Sequence, residues 1–206
     1  MHETTMLPRY SLPLVAILLL SVVVSTTLAG YIPPGPKYPC PTNPVLFYPC
    51  RCVIGSDVGL NIYCHNSNLA SLSIAFTNIA AIRAPLQKLT INAAKFSRLY
   101  GGLLYALEVK KLYIEDTPLK IIEPQTFLGV NRTLEELHLI RTQLKEFPKD
   151  AFQNLGKLTV LNIEGHTLTS LPVGIMAGQL PNNLEKLSIT NGNLTDLPVE
   201  TLVPCK

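Results

Sequence analysis

The sequence lacks the patterns on which most enzymes and nucleic-acid-binding proteins depend. Its four histidines are scattered, with no H-E-x-x-H, and it contains no G-x-S-x-G and no glycine-rich phosphate loop. The formal net charge is only +3, and the basic residues do not concentrate as a nucleic-acid-binding face requires. We therefore expect no catalytic residue, no cofactor, no bound metal and no nucleic-acid partner.

Long apolar runs are also scarce. One runs from Leu12 to Val24, after a polar start that carries Arg9 and before a small-residue stretch that ends at Ala29. This order is typical of a secretory signal peptide, and the run is shorter than the roughly 20 residues that cross a bilayer. We predict a signal peptide over residues 1–29 and a secreted, extracellular protein without a membrane span. An N-terminal membrane anchor is the alternative.

Cysteine is rare, and four of the five cysteines lie close together. In a secreted chain such a cluster predicts a disulfide framework, for which four cysteines allow three pairings. Zinc fits less well, because C-x-C with long flanks is not the paired C-x-x-C of zinc sites. The four are Cys40, Cys50, Cys52 and Cys64.

A proline-rich segment, residues 30–49, precedes and overlaps this cluster. Its seven prolines predict extended or turn backbone and exclude helix. The segment is interpreted as a linker into the cysteine cluster, with a proline-rich ligand for another protein as the alternative.

A repeated apolar pattern fills the rest of the chain. Its clearest copy, from Leu134 to Leu155, has the skeleton L-x-x-L-x-L-x-x-T-x-L-x-x-F-P. Copies begin at residues 59, 86, 109, 134, 158 and 184, so the spacing is 23 to 27 residues. Alternation at the start of each copy predicts a short strand. The later apolar residues predict a return to a common core, which only stacked neighbours can bury.

On these residues the chain resembles the extracellular leucine-rich repeat family, over about residues 50–203. The resemblance implies an α/β solenoid, or horseshoe, with one parallel β-sheet on the concave face and an irregular or short helical convex side. It places the repeats at residues 59–203 and a disulfide-bonded N-terminal cap at residues 40–64. It also implies the pairings Cys40–Cys52 and Cys50–Cys64.

One position of each repeat departs from the family pattern, which has Asn there to bond the backbone of the turn. Hydroxyl groups replace part of that bonding, but Ala94 and Gly192 cannot, so a less regular solenoid is predicted at these two. The six ladder positions are Ser67, Ala94, Thr117, Thr142, His166 and Gly192. The I-x-x-T-P-L form at residues 114–119 is similar to arthropod secreted leucine-rich proteins, among them the non-catalytic subunit of Oplophorus luciferin monooxygenase.

Two further features concern modification and the end of the chain. The sequons at Asn131 and Asn193 predict N-glycosylation. Cys205 is the odd cysteine, one residue before the last, where the family often begins a C-terminal cap. Residues 204–206 are interpreted as a truncated end, with a disulfide-linked partner through Cys205 or a free thiol as alternatives.

Function must come from the residues that face outward, since packing explains the apolar skeleton. Alternation places offsets two, four and six of each repeat on the concave face. Aromatic and long charged residues there predict a protein-binding surface, with a solvated face as the alternative. The candidates are Tyr63, Lys88, Lys111, Tyr113, Glu115, Glu136, His138 and Ile140.

Three functions are compatible with such a surface. The first is an extracellular binding or adhesion module with a protein ligand. The second is a non-catalytic partner subunit of a secreted enzyme complex. The third is a soluble innate-immune pattern-recognition protein, a hypothesis that rests on the repeat type resembling Toll-like ectodomains.

Overall fold

A computed structural model describes residues 34–175 and 182–198. The predicted signal peptide and Cys205 lie outside these residues. The strands are β1 Cys50–Ser56, β2 Gly59–His65, β3 Leu86–Asn92, β4 Arg98–Leu99, β5 Val109–Glu115, β6 Ile121–Ile122, β7 Glu136–Ile140, β8 Val160–Glu164 and β9 Lys186–Thr190. The helices are a 3-10 helix at Pro44–Phe47, α1 at Leu69–Ile82 and α2 at Lys149–Phe152.

Seven of the strands form one sheet in the order β1-β2-β3-β5-β7-β8-β9. β1 is antiparallel to β2, and every later pair is parallel. Each parallel strand thus comes from the start of one repeat and pairs with the strand of the next repeat. The predicted α/β leucine-rich repeat solenoid with one parallel sheet and few helices is confirmed.

The core lies behind this sheet and consists of the repeated apolar positions. From Lys111 to the end of β5, and throughout β7, buried and partly exposed residues alternate, with Leu112, Ile114, Leu137 and Leu139 at 0% exposure. Fully burying one such side chain contributes roughly 1.5–3 kcal/mol. On the return side, opposite the sheet, the two-residue strands β4 and β6 pair in parallel. Repetition of these contacts stabilises a fold whose strands are short.

Each repeat strand is followed directly by a residue with a left-handed backbone. The φ angle lies between 50° and 63° at all six positions. This bend turns the chain from the sheet toward the core, and the backbone N–H of Asp116 still donates to the carbonyl of Ile140, at 3.0 Å. Asn, Asp and Gly tolerate this conformation, whereas Ala and Arg adopt it at a cost. The six residues are Asn66, Ala93, Asp116, Arg141, Gly165 and Asn191.

The first repeat contains a long helix that the apolar pattern did not predict. Asn68 caps α1: its side chain accepts from the backbone N–H of Ser71, and the Ser71 side chain bonds back to Asn68. Residues 72, 75, 76 and 79 of α1 are buried at helical spacing. The helix ends at Arg83 in a left-handed conformation, two residues before Pro85.

The N-terminal cap covers the first edge of the sheet. Disulfides join Cys40 to Cys52 and Cys50 to Cys64, the pairings that the resemblance implies. The prediction of no helix in the proline-rich segment was wrong at Pro44–Phe47. Proline favours a first helical turn, where its missing N–H is not needed, and the Asn43 side chain accepts from the N–H of Val45.

The residues at the ladder positions differ in their contacts. β3 pairs with β5, and β8 with β9, without a register shift, whereas the pairing of β2 with β3 shifts between Leu60 and Asn61. The ring of His166 occupies the space in which a Cβ on Gly192 would lie. A less regular solenoid at Ala94 and Gly192 stays a prediction. Of the hydroxyls, Thr117 donates to the carbonyl of Glu115 at 2.9 Å. The buried hydroxyls of Ser67 and Thr142 have no hydrogen-bond partner in the described part of the chain.

Candidate functional site

The strand register brings all eight predicted face residues onto one side of the sheet, here called the strand face. The rows run across neighbouring strands in pairing order, as in Lys88–Lys111–Glu136 and Thr90–Tyr113–His138. A third row carries Glu115 and Ile140. All eight side chains are partly exposed. His65, two residues after Tyr63, is exposed and was not among the eight. The geometry therefore groups the candidates, and their role in binding stays a prediction.

Three side chains at the centre of the strand face form a stack. The rings of Tyr113 and His138 lie 4.1 Å apart between centroids, with their planes 7° apart. The Lys88 ammonium lies 3.9 Å from the centroid of the Tyr113 ring, within the range of a cation–π interaction. These contacts restrict the rotamers of three side chains that a merely solvated face would leave free.

Glu136 fixes the stack from one side. Its carboxylate lies 2.9 Å from the Lys111 ammonium and 3.4 Å from Nε2 of His138. Burial alone would raise the pKa of Glu136, but the hydrogen bonds with Lys111 and His138 lower it overall. The bond to Glu136 in turn raises the pKa of Lys111. The two charges therefore neutralise each other at neutral pH.

The two rings of the stack are uncharged at neutral pH. Burial lowers the pKa of His138 below 6.5, although Glu136 opposes this, and Lys88 and Lys111 lower it further. Burial likewise raises the pKa of Tyr113 above 10.0. The centre of the strand face thus offers ring surface with polar tips, the amphipathic character that Tyr gives to protein interfaces.

The N-terminal end of the strand face has a second aromatic site. The Arg51 guanidinium lies 5.1 Å from the centroid of the Tyr63 ring. Pro49, Arg51, Tyr63 and His65 line a shallow cavity of about 290 Å³. Arg51 was missed by the sequence analysis because β1 was not predicted as a strand. The C-x-C spacing could have indicated it. In a strand whose two cysteines point toward the core, the residue between them points to the opposite face.

Polar side chains connect the ends of the strands. Nδ1 of His65 lies 3.0 Å from the Asn92 side-chain oxygen, and the Asn92 amide donates to Asp116 at 3.1 Å. Arg141 donates to the same carboxylate through two nitrogens, one at 2.7 Å. The hydrogen bond from Arg141 lowers the pKa of Asp116. The Asn92 amide also donates to the Glu115 carboxylate at 3.4 Å, so both carboxylates at this edge of the strand face accept hydrogen bonds.

The rest of the described surface has fewer features that indicate a binding site. A groove of about 450 Å³ on the return side is lined by Ile122, Phe147, Pro148 and several lysines. Within residues 34–175 and 182–198, no cluster of three His, Cys, Asp or Glu side chains could hold a metal. None of the helices described there is long and apolar enough to cross a membrane.

The predicted glycosylation sites lie in turns. Asn193 is exposed, just after β9, and the Thr195 hydroxyl of its sequon donates to the Thr169 carbonyl at 3.2 Å. Asn131 is partly exposed in the turn before β7. Glycosylation at both stays a prediction.

Comparisons with known proteins agree with this architecture. A sequence model of the family described as "Leucine rich repeat" matches residues 107–168. The comparison with curated proteins gave no match, and the resemblance to the Oplophorus luciferin monooxygenase subunit is not supported.

One similar solved structure is the octameric complex of Latrophilin 3, Unc5D and FLRT2, in which FLRT2 is the leucine-rich repeat part. The match has a TM-score of 0.50 and 20% sequence identity, and covers 66% of this chain. This chain spans only 39% of the length of that one. The likeness shows the fold alone.

Proposed function

We propose that this leucine-rich repeat solenoid is an extracellular binding or adhesion module whose strand face binds another protein. The observation that carries the proposal is the stack of Lys88, Tyr113 and His138, held in place by Glu136. Protein interfaces depend on a few ordered aromatic and basic side chains surrounded by polar ones. Because these side chains are ordered in the unbound chain, less conformational entropy is lost on binding.

Two features support an extracellular location. The disulfides of the cap belong to an oxidising compartment, and the N-terminal sequence has the order of a signal peptide. A role as non-catalytic partner subunit of a secreted enzyme uses the same surface. The disulfide-linked partner through Cys205 and the pattern-recognition role stay predictions that no described contact favours.

A glycan placed on the strand face tests the proposal. Lys88→Asn creates the sequon Asn-Leu-Thr with Leu89 and Thr90, so secretory expression attaches a glycan at the stack. Lys95→Asn creates Asn-Phe-Ser directly after the ladder position Ala94, off the strand face. Both variants and the wild-type protein are applied to an array of extracellular protein domains, and glycan attachment is verified by mass.

We expect the Lys88→Asn glycoprotein to lose binding of a wild-type partner at least tenfold, because a glycan excludes a protein from the surface beneath it. The Lys95→Asn glycoprotein should bind within about twofold of wild type. Lys88→Gln, which removes the charge without adding a glycan, separates the steric effect from the loss of the cation. Equal binding by both glycoproteins would contradict binding on the strand face.

A further inference from the structure

We infer that the N-terminal half of the strand face binds an acidic segment of the partner protein, an inference that rests on the proposed function. Two cations lie there over aromatic rings: Arg51 over Tyr63, and Lys88 over Tyr113. Among the described residues, no carboxylate forms an ion pair with either cation. By contrast, Lys111, in the same row as Lys88, is paired with Glu136.

The unpaired cations set the charge of this half of the face. Glu136 is neutralised by Lys111, and Glu115 lies in the third row, toward the ends of the strands. A cation over a ring keeps part of its hydration while the ring holds it in position. Both groups therefore remain available to a carboxylate from outside, and a carboxylate that binds them replaces no internal ion pair.

The spacing of the two cations fits an extended polypeptide. Arg51 pairs with Tyr63, which pairs with Thr90, two residues after Lys88. Two strand spacings and two residues of rise separate the two Cα atoms by about 12 Å. An extended segment with acidic residues about four positions apart covers that distance.

The aromatic and apolar surface beside the two cations favours a protein ligand over a sulfated glycan. The cavity of about 290 Å³ beside Arg51 has Pro49 and the Tyr63 ring as walls, and the Tyr113 ring flanks Lys88. Such walls accept apolar and aromatic side chains next to a carboxylate. A polyanionic glycan instead requires a longer array of cations, because its affinity comes from many charge contacts, as for other polyanions.

The test uses the full secreted protein and three probes: a glutamate–tyrosine copolymer, a lysine–tyrosine copolymer and heparin. The variants Arg51→Glu/Lys88→Glu and Arg51→Gln/Lys88→Gln remove the two cations. Lys95→Glu/Lys120→Glu makes the same change of net charge at two exposed lysines off the strand face. Affinities are measured at two salt concentrations, and circular dichroism verifies the fold of each variant.

We expect the glutamate–tyrosine copolymer to bind wild type, and to bind more weakly as salt rises. Affinity should fall at least tenfold in Arg51→Glu/Lys88→Glu, less in the Gln variant, and no more than about twofold in Lys95→Glu/Lys120→Glu. Equal losses in the two Glu variants, or preference for the lysine–tyrosine copolymer, would overturn the inference. So would tighter binding of heparin that is lost in Arg51→Glu/Lys88→Glu, which would make this a glycan site.

The two proposals fail in different ways. If the Lys88→Asn glycan blocks a partner that still binds Arg51→Glu/Lys88→Glu, the strand face binds a protein but not through an acidic segment. If the glycan blocks nothing, the proposed function itself fails.

Discussion

Single residues show how the ladder works without the asparagine typical of the family. The buried ring of His166 fills the space beside Gly192, and its Nδ1 accepts from the backbone N–H of Leu168 at 3.1 Å. Burial lowers the pKa of His166, so the ring is neutral and can accept that bond. Histidine and glycine therefore act as a pair across neighbouring repeats.

Gly192→Ala should destabilise the protein by about 1–3 kcal/mol, because the added Cβ forces the buried His166 ring out of its position. The measurement is the free energy of unfolding in urea. Gly156→Ala is the matched control: its Cβ meets no atom within 4 Å, so its stability should change little or rise slightly. Equal effects of the two substitutions would show that His166 does not occupy this space.

Among the elements, α1 has a helical pattern of apolar residues that the repeat pattern obscures. Its apolar residues follow helical spacing, but the repeated pattern specifies a strand only at the start of each copy. The capping box of Asn68 and Ser71 begins the helix, and the left-handed Arg83 ends it. The first repeat is long because this helix fills its return side.

Asn68→Ala should cost about 1 kcal/mol, since the first turn of α1 loses the acceptor for the Ser71 N–H. Amide hydrogen exchange should accelerate in the first turn of α1 more than in β3. Asn78→Ala, inside the same helix, serves as the control and should be neutral or slightly stabilising because Ala is the better helix former. Unchanged exchange in Asn68→Ala would argue that packing alone positions the helix.

For the molecule as a whole, the cap ends the stack of repeats on one side. Without it, β2 would present unpaired backbone groups and its share of the core to solvent. β1 pairs with β2 in antiparallel orientation, and the two disulfides fasten it there. The cap also supplies Arg51 to the strand face, so it contributes to the candidate site as well as to stability.

The two disulfides should contribute unequally. Each closes a short loop, with separations of 12 and 14 residues, for which about 3 kcal/mol is expected. Cys50 and Cys64 are also buried, with 6% and 0% exposure, so Cys50→Ala/Cys64→Ala additionally loses packing. We expect this variant to unfold at lower urea concentration than Cys40→Ala/Cys52→Ala. The reverse order would show that the outer disulfide holds the cap.

The sequence by itself determined the repeats, the strand at the start of each repeat and the rows of the strand face. The apolar spacing recurs with each repeat, and alternation within a strand places the residues between the apolar ones on the opposite side of the sheet. Tyr113 and His138 could therefore be placed together from the pattern alone. The tertiary structure decided the contacts: the stack with Lys88, the pair of His166 and Gly192, and the position of Arg51 over Tyr63. These depend on side-chain directions in neighbouring strands, which periodicity does not specify. Arg51 depends further on an antiparallel strand that lies outside the repeat.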